Sequence, residues 1–482
     1  MESPRSAIFP YADDTICAVA TAPDGALGII RISGPQAIDI LSQVFTKDLS
    51  GAQPNTLHHG YITSSNEVVD EVVVSVFRAP HSYTGEDSIE ISCHGSRYII
   101  NKVLEFLVEN GCRVANPGEF TQRAFLNGKM DLSQAEAVAD LIASNSTASH
   151  HMAMSQMRGN ISTTISQLRE QLLNLTTLLE LELDFADHEE LEFADRNELL
   201  KLTKKIETHI DKLTQSFQTG QALKLGIPVA IVGKTNVGKS TLLNRLLKED
   251  RAIVSDIHGT TRDTIEDTIL IRGVQFRFID TAGLRETVDE VEQIGIQRTY
   301  AAIDKARIVL WLYDQEPSED EIRFIQTLCE GKKLLVIQNK VDLIENTLPQ
   351  ATSFDDNTNE GTSEQKLFTF DNNRTKHSKF LRISAKHGTN IEELEQAIYD
   401  SANIPEFNDG ETIITNARHY AALNNALAGI RRVEEGFYSN IPSDLIAEDL
   451  RIVLSSLGEI TGGTISSQET LNNIFNNFCV GK

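Results

Sequence analysis

The chain has 482 residues, of which 44 are basic and 69 acidic, and its formal net charge is −25. That length is too great for one hydrophobic core and predicts roughly two to four domains. The strong negative charge argues against a general electrostatic grip on nucleic acid, so any RNA contact must be local or shared with a partner.

The cysteines and the apolar segments indicate the compartment. The five cysteines are scattered without Cys-x-x-Cys spacing, which is typical of a reducing cytoplasm and predicts no cysteine metal site. The sequence has no apolar run of about 18 residues, and acidic residues stand near its start where a signal peptide would be basic. We therefore expect a cytoplasmic protein with neither a membrane span nor a signal peptide.

The first part of the chain, residues 1–125, alternates short apolar segments with glycine turns. Helices are predicted at 35–45 and 98–109, and strands at 15–20, 28–32, 72–77 and 88–92. This mixture predicts an N-terminal α+β domain.

Long helices are predicted from Met130 onward. Apolar residues recur there at three- and four-residue spacing, in two stripes: Ile161, Ile165, Leu168, Leu172, Leu175 and Leu179, then Leu199, Leu202, Ile206, Ile210, Leu213 and Phe217. We interpret both stripes as the core of a helical bundle rather than as a dimer zipper. The helical pattern returns at 417–433 and 445–460. The simplest topology is one bundle, with parts at 126–220 and 403–482, interrupted by an inserted domain at 221–402.

The inserted segment opens with a phosphate-binding loop. Residues 233–240 read Gly-Lys-Thr-Asn-Val-Gly-Lys-Ser and follow the strand-like stretch 227–232. Glycines let consecutive backbone N–H groups converge on phosphates, and the following helix directs its positive end at them. Lys239 is predicted to reach the β- and γ-phosphates, and Ser240 to bind Mg²⁺.

Further motifs follow in the order that a guanine-nucleotide fold requires. Thr261 lies in a polar loop as a second hydroxyl ligand for Mg²⁺, and Asp280 ends an alternating, strand-like stretch. Asp342 follows an apolar run and can accept both N–H donors of a guanine edge, whereas adenine offers a different donor pattern. The segment 384–386, Ser-Ala-Lys, completes the base pocket. These motifs predict a Ras-like, doubly wound α/β GTPase domain that binds GTP.

The residues that catalyse GTP hydrolysis are less evident. Leu284 stands where many small GTPases carry a glutamine that orients the attacking water. Asn236 and Ser255 resemble the residues of GTPases that dimerise through nucleotide and hold a K⁺ beside the phosphates, but each also fits an ordinary loop or turn residue. The sequence leaves both interpretations open.

Several stretches together carry a family resemblance over essentially the whole chain. They are residues 28–35, 83–87, 118–129 and 280–287, and the terminal Phe478-Cys479-Val480-Gly481-Lys482. The chain resembles the tRNA uridine-modification GTPases of the MnmE (TrmE) family. It departs from the family pattern at 22–27, where a glycine-rich turn is common, and at Thr235, which replaces a proline.

The resemblance implies a folate site. Arg31, Glu90, Lys129 and Lys482 would contact a tetrahydrofolate derivative, 5,10-methylene or 5-formyl, at the homodimer interface of the N-terminal domains. Cys479 would lie near it as a catalytic thiol, either a nucleophile or a general acid. Without the resemblance, Arg31 and Lys129 would be interpreted as surface charges.

The resemblance also implies the details of the nucleotide site. K⁺ would be held by Asn236, Ser255, Ile257 and Thr260, and Mg²⁺ by Ser240 and Thr261. Glu292 would orient the hydrolytic water indirectly, although an acid in such an acidic run also fits a solvated helix position, and Arg285 is a further catalytic candidate. The complete set of implied GTP contacts is Asn236, Val237, Gly238, Lys239, Ser240, Thr241, Ser255, Asp256, Ile257, His258, Gly259, Thr260, Thr261, Asp280, Thr281, Ala282, Gly283, Asn339, Lys340, Asp342, Ser384, Ala385 and Lys386.

The implied function is GTP-dependent modification of the wobble uridine (U34) of tRNA. An aminomethyl or carboxymethylaminomethyl group would be added at C5, with the one-carbon unit taken from tetrahydrofolate. A flavoprotein partner, MnmG (GidA), would form a heterotetramer or larger complex with the homodimer, and K⁺-dependent dimerisation of the GTPase domains would drive the conformational change. The alternative is a GTPase switch in ribosome assembly.

Overall fold

The structure is a computed structural model that describes most of the chain. The described residues are 14–22, 25–64, 67–184, 196–250, 267–279, 300–345, 379–404, 412–439 and 441–463, with 471, 474, 475, 478 and 481 near the end. The chain forms two compact units. Unit 1 comprises Met1–Ala143, Ala153–Gln215 and Asn416–Lys482, and unit 2 comprises Ser144–Met152 and Ser216–Thr415.

Unit 1 begins with a six-stranded sheet in the order β3-β4-β5-β2-β1-β6. Its strands are β1 (Ile16–Val19), β2 (Leu27–Ser33), β3 (Thr56–Ser64), β4 (Glu67–Phe77), β5 (Ser88–His94) and β6 (Arg113–Val114). Only the pairing of β1 with β6 is parallel among these strands. Helices α1 (Ala37–Val44) and α2 (Arg97–Glu109) share one apolar core with the sheet, including Leu41, Ile89 and Val103. The predicted α+β fold is confirmed.

The remainder of unit 1 is helical. Its helices are α3 (Glu119–Leu126), α4 (Leu132–Ala143), α5 (Thr147–Met157), α6 (Asn160–Asp184), α7 (Arg196–Leu225), α12 (Ala417–Tyr438) and α13 (Ser443–Thr461), of which α5 and α7 also contribute residues to unit 2. The six apolar stripe residues of α6 are all buried. Of the six stripe residues of α7, four are buried, and Leu202 and Phe217 are half-buried. Helix α13 packs against both α6 and α12. Segments before and after the insertion therefore build one bundle, as predicted.

A buried ion cluster also joins these segments. Glu136 of α4 accepts hydrogen bonds from the guanidinium of Arg418 at 2.8 and 2.9 Å, and it lies 2.7 Å from Nε2 of His419, both residues of α12. Burial alone would raise the pKa of Glu136, but hydrogen bonds and charges from His419 and Arg418 lower it to about 2. Polar contacts, as well as apolar ones, therefore connect the two parts of the bundle.

Unit 2 contains a second six-stranded sheet, in the order β12-β11-β10-β7-β9-β8. Its strands are β7 (Ile227–Val232), β8 (Asp267–Ile271), β9 (Val274–Phe278), β10 (Ile308–Tyr313), β11 (Lys333–Gln338) and β12 (Lys379–Arg382), and its helices include α8 (Lys239–Asp250), α9 (Glu319–Leu328), α10 (Val341–Glu345) and α11 (Ile391–Ser401). All pairings are parallel except that of β8 with β9. This is the doubly wound α/β fold predicted for the inserted domain.

The strand order places the site. In a doubly wound sheet, ligands bind beyond the carboxyl ends of the parallel strands. The loops after β7, β11 and β12 leave from that edge. Among the described helices, none combines the length and apolar composition that a membrane crossing requires.

Candidate functional site

The phosphate-binding loop directly follows β7 and leads into α8 at Lys239. Its backbone requires glycine at two points. Gly233 has φ +151°, and a Cβ there would lie 2.2 Å from the carbonyl oxygen of Leu312; Gly238 has φ +99°, and a Cβ there would lie 2.3 Å from Nδ2 of Asn339. Asn236 also has a positive φ of 62°. Close packing against β10 and β11 therefore fixes the path of this loop.

The side chain of Lys239 folds back onto the phosphate-binding loop. Its Nζ donates to the carbonyl oxygens of Gly233 and Lys234, both at 2.7 Å. Burial lowers the pKa of this lysine. Its partners among the described residues are neutral carbonyls rather than a carboxylate, so its charge is available to an anion. This arrangement fits the predicted phosphate role.

The predicted base-recognition residues of unit 2 meet at the ends of β11 and β12. Asn339, only 2% exposed, donates from Nδ2 to the carbonyl of Val237 at 2.8 Å and accepts from the Ala385 N–H at 3.0 Å. Asp342 accepts from the Ser384 hydroxyl at 2.6 Å, and this hydrogen bond lowers the pKa of the carboxyl group. An ionised Asp342 can accept the two N–H donors of a guanine edge.

Lys340 lies in the same motif and is held by Asp314, a residue that no motif predicted. Its backbone has φ +63°, and its Nζ bonds to the carboxylate of Asp314 at 2.7 Å. Asp314 directly follows β10. A polar residue at the end of a buried strand was the available signal for it.

A small cavity of about 80 Å³ lies in unit 1, lined by Arg31, Phe77, Tyr83, Thr84, Ser88 and Glu90. Arg31 and Glu90 are paired across β2 and β5, and the guanidinium donates to Oε1 of Glu90 from Nε at 3.0 Å and from Nη2 at 2.7 Å. The guanidinium carbon also lies 5.4 Å from the centre of the Tyr83 ring and 5.7 Å from that of Phe120. The cavity thus combines a carboxylate, a cation and aromatic faces.

The described tail residues lie against this domain. Nη1 of Arg31 donates to the carbonyl oxygen of Gly481 at 3.3 Å. A Cβ on Gly481 would lie 2.2 Å from the carbonyl oxygen of Val19, and a Cβ on Gly118 would lie 2.7 Å from that of Phe475. The end of the chain therefore packs beside the cavity.

The other predicted folate residue with a described position lies apart from the cavity lining. Lys129 donates from Nζ to the carbonyl of Pro80 at 2.9 Å and is close to Gly85. The structure brings Arg31 and Glu90 together, whereas Lys129 contacts the loop before Tyr83. No motif pointed to the aromatic residues Tyr83 and Phe120 as part of a site, although both stand within the stretches that carry the family resemblance.

The rest of the predicted site lies outside the described residues. These positions are Ser255, Asp256, Ile257, His258, Gly259, Thr260, Thr261, Asp280, Thr281, Ala282, Gly283, Arg285, Glu292, Cys479 and Lys482.

Family models and similar proteins of known name agree on one family. Family models described as "MnmE helical domain" and "GTP-binding protein TrmE N-terminus" match residues 132–479 and 15–129. A protein named "tRNA modification GTPase MnmE" from Phocaeicola vulgatus is 52% identical over 97% of this chain and 99% of its own length. Proteins of the same name from Bacteroides thetaiotaomicron and Bacteroides fragilis are 52% and 50% identical, again over 97% of this chain and 99% of theirs. The chain belongs to the MnmE (TrmE) family of tRNA modification GTPases.

Proposed function

We propose that this protein hydrolyses GTP to drive modification of the wobble uridine (U34) of tRNA. With a flavoprotein partner of the MnmG (GidA) type, it adds an aminomethyl or carboxymethylaminomethyl group at C5, using a one-carbon unit from a tetrahydrofolate. The observation that carries this proposal is the pairing of Asp342 with Ser384 beside Asn339, a guanine-selective arrangement within a chain that matches its relatives from end to end.

In the nucleotide site, three residues bind the nucleotide and orient it. Asp342 accepts the guanine N–H donors, Asn339 ties the base loop to the phosphate loop, and the ammonium of Lys239 moves from its carbonyl partners to phosphate oxygens. Because this charge neutralises the phosphates, it favours the build-up of negative charge as the terminal phosphate leaves.

The residues present also fit the two cations. Among the described residues no cluster of three or more His, Cys, Asp or Glu side chains could hold a metal. We propose that Mg²⁺ is held by hydroxyl and phosphate oxygens, and Ser240 in the first turn of α8 is suited to this. Asn236 offers an exposed amide oxygen in the phosphate loop for K⁺, with Ser255, Ile257 and Thr260 as the other proposed ligands and Thr261 as the second Mg²⁺ ligand. These ions would supply charge stabilisation and link two GTPase domains.

The cavity of unit 1 supports the folate part of the proposal. A tetrahydrofolate carries carboxylates, which suit Arg31, and a pterin ring with N–H donors, which suit Glu90. Tyr83 and Phe120 offer ring faces beside the guanidinium. Lys129 and Lys482 are proposed as further cations for the folate, although Lys129 contacts the Pro80 loop instead of lining this cavity.

The position of Gly481 supports a role for the neighbouring cysteine. Two residues of chain reach at most about 7 Å, and Gly481 bonds to Arg31. We propose that Cys479 acts there on the one-carbon unit. In the nucleotide site, Glu292 and Arg285 are proposed to orient water and support hydrolysis, and the active form is proposed to be a cytoplasmic homodimer.

One experiment tests this function. We expect tRNA from cells lacking the protein to lose its C5-modified wobble uridines by mass analysis of nucleosides, and we expect wild-type protein but not Lys239→Met to restore them. Intact wobble nucleosides in the deletion strain, together with abnormal ribosome profiles, would instead favour a switch in ribosome assembly.

A further inference from the structure

Arg245 connects the helix after the phosphate loop to the loop that recognises the base. It lies on α8, and its Nη2 donates to the carbonyl oxygen of Lys386 at 2.7 Å, while Nε lies 3.4 Å from that of Ala385. These two carbonyls belong to consecutive residues of the Ser384–Lys386 segment. No motif predicted a function for this arginine.

The side chain is suited to this contact by its shape. A guanidinium presents N–H donors in a rigid planar fork, so it can hold two neighbouring carbonyls in a fixed relation, which a single ammonium cannot do. The turn beyond the segment lies beside the guanidinium. Gly388 has φ +82°, and a Cβ at that glycine would lie 3.5 Å from the guanidinium carbon of Arg245.

Residues of the base site also bind the Ser384–Lys386 segment, through a backbone N–H group and a side-chain hydroxyl group. The Ala385 N–H donates to Asn339 at 3.0 Å, and the Ser384 hydroxyl donates to Asp342 at 2.6 Å. In a trans peptide the N–H points opposite to the C=O, so clasping the Ala385 carbonyl directs the Lys386 N–H away from Arg245. Within the described parts of unit 2 that N–H has no protein acceptor, which leaves it available to an acceptor on a bound base.

We infer that Arg245 is a positioning residue for guanine recognition: it orients the Ser384–Lys386 peptides so that their donors meet the base. This inference rests on the proposed GTP binding. It assigns Arg245 to the base and not to the phosphates, although the residue lies on the helix that follows the phosphate loop.

The test compares Arg245→Gln and Arg245→Lys with wild type in the full chain. We expect Arg245→Gln to weaken GDP binding roughly tenfold, since a charge-assisted contact is lost. Binding of inorganic pyrophosphate, which has no base, stays unchanged, and kcat at saturating GTP stays within about twofold. Arg245→Lys retains one donor and is expected to lose about threefold in GDP affinity.

The matched control is Arg323→Gln. Arg323 lies on α9 of the same unit, is exposed and contacts Glu319 at 3.3 Å, so its replacement leaves GDP affinity unchanged. Equal weakening of GDP and pyrophosphate binding by Arg245→Gln would overturn the inference, because the arginine would then act through the phosphate loop. Unchanged GDP affinity would also overturn it. If the glutamine variant fails to fold, wild-type GDP affinity in Arg245→Lys is the overturning result. Wild-type protein that binds pyrophosphate but not GDP would instead refute the proposed function.

Discussion

The two units bury different kinds of polar group. Every buried Asp, Glu, Arg or His of the described residues lies in unit 1: Asp70, Glu119, Arg123, Glu136 and His419. The described part of unit 2 buries neutral polar side chains such as Asn339 and Ser384, around a sheet of apolar parallel strands. A buried charge is costly unless it is paired, so the described part of unit 1 depends on ion pairs for its stability to a degree that the described part of unit 2 does not share.

The largest effect is expected at the centre of that difference. Glu136→Gln leaves the buried His419 and the half-buried Arg418 without their anion, and it is expected to destabilise unit 1 by about 3–5 kcal/mol. Calorimetry should show one transition moving down while the transition of unit 2 stays in place. Glu180→Gln is the control, because its partner Arg451 is exposed and such pairs contribute little. A fall in both transitions, or in neither, would remove the proposed distinction.

Low pH should destabilise unit 1 through the same residue. The pKa of Glu136 is about 2 in the folded chain and 4.5 for the free group. Because the folded value is the lower one, the stabilisation is complete above about pH 4.5 and is lost as pH falls towards 2. The stability of wild type should therefore approach that of Glu136→Gln across this window. A constant gap between the two proteins, measured by calorimetry at several pH values, would contradict the assignment.

The next effect concerns the nucleotide site of unit 2. Lys239→Met removes the cation from the phosphate loop and is expected to weaken GTP binding on the order of 100-fold. Lys332→Met is a close control, because Lys332 also donates to two backbone carbonyls, those of Asp304 and Ala306. Equilibrium titration with GTP measures both. Similar losses in the two variants would mean that the lysines act only on the fold.

A smaller effect is expected in the cavity of unit 1. Arg31→Gln should weaken binding of a tetrahydrofolate derivative about tenfold, because the folate carboxylate loses its cationic partner. Basal GTP hydrolysis should stay unchanged. Arg78→Gln serves as the control, because Arg78 pairs with Asp87 at 3.1 Å in the same domain but does not line the cavity. Wild-type folate affinity in Arg31→Gln would show that the ligand binds elsewhere.

The smallest effect is expected at the tail. Gly481→Ala places a Cβ where the Val19 carbonyl lies 2.2 Å away, and it should lower folate affinity by roughly threefold as the tail shifts. Gly111→Ala carries a similar backbone strain, with φ +110° and no atom nearer than 3.8 Å, and is the control. Isothermal titration distinguishes them. Equal losses would assign the effect to general destabilisation.

The sequence predicted unit 2 better than the cavity of unit 1 because of how each is assembled. Lys239, Asn339 and Asp342 each lie in a short motif after an apolar strand, so local pattern fixes both identity and place. Arg31, Glu90 and Gly481 meet only through sheet pairing and the return of the tail, across 450 residues. Family resemblance supplied Arg31 and Glu90 as folate residues, which periodicity could not do, and it gave no role to Gly481.

The fold shows the same limit. The stripes of α6 and α7 were predicted because helical packing repeats along one segment. The prediction missed β3, whose two adjacent histidines obscure its alternation, and β6, which has two residues. Strand β4 also begins earlier than predicted, at Glu67, because acidic residues at 67, 70 and 71 interrupt the apolar pattern there.

The contacts of Lys239 have a consequence for the release of product. Because the carbonyls of Gly233 and Lys234 accept hydrogen bonds from the ammonium, its N–H donors stay paired when nucleotide departs. Nucleotide exchange then replaces the phosphate oxygens around the lysine by the two carbonyl oxygens, and the next nucleotide reverses that replacement. We therefore expect GDP to exchange for GTP on the isolated protein.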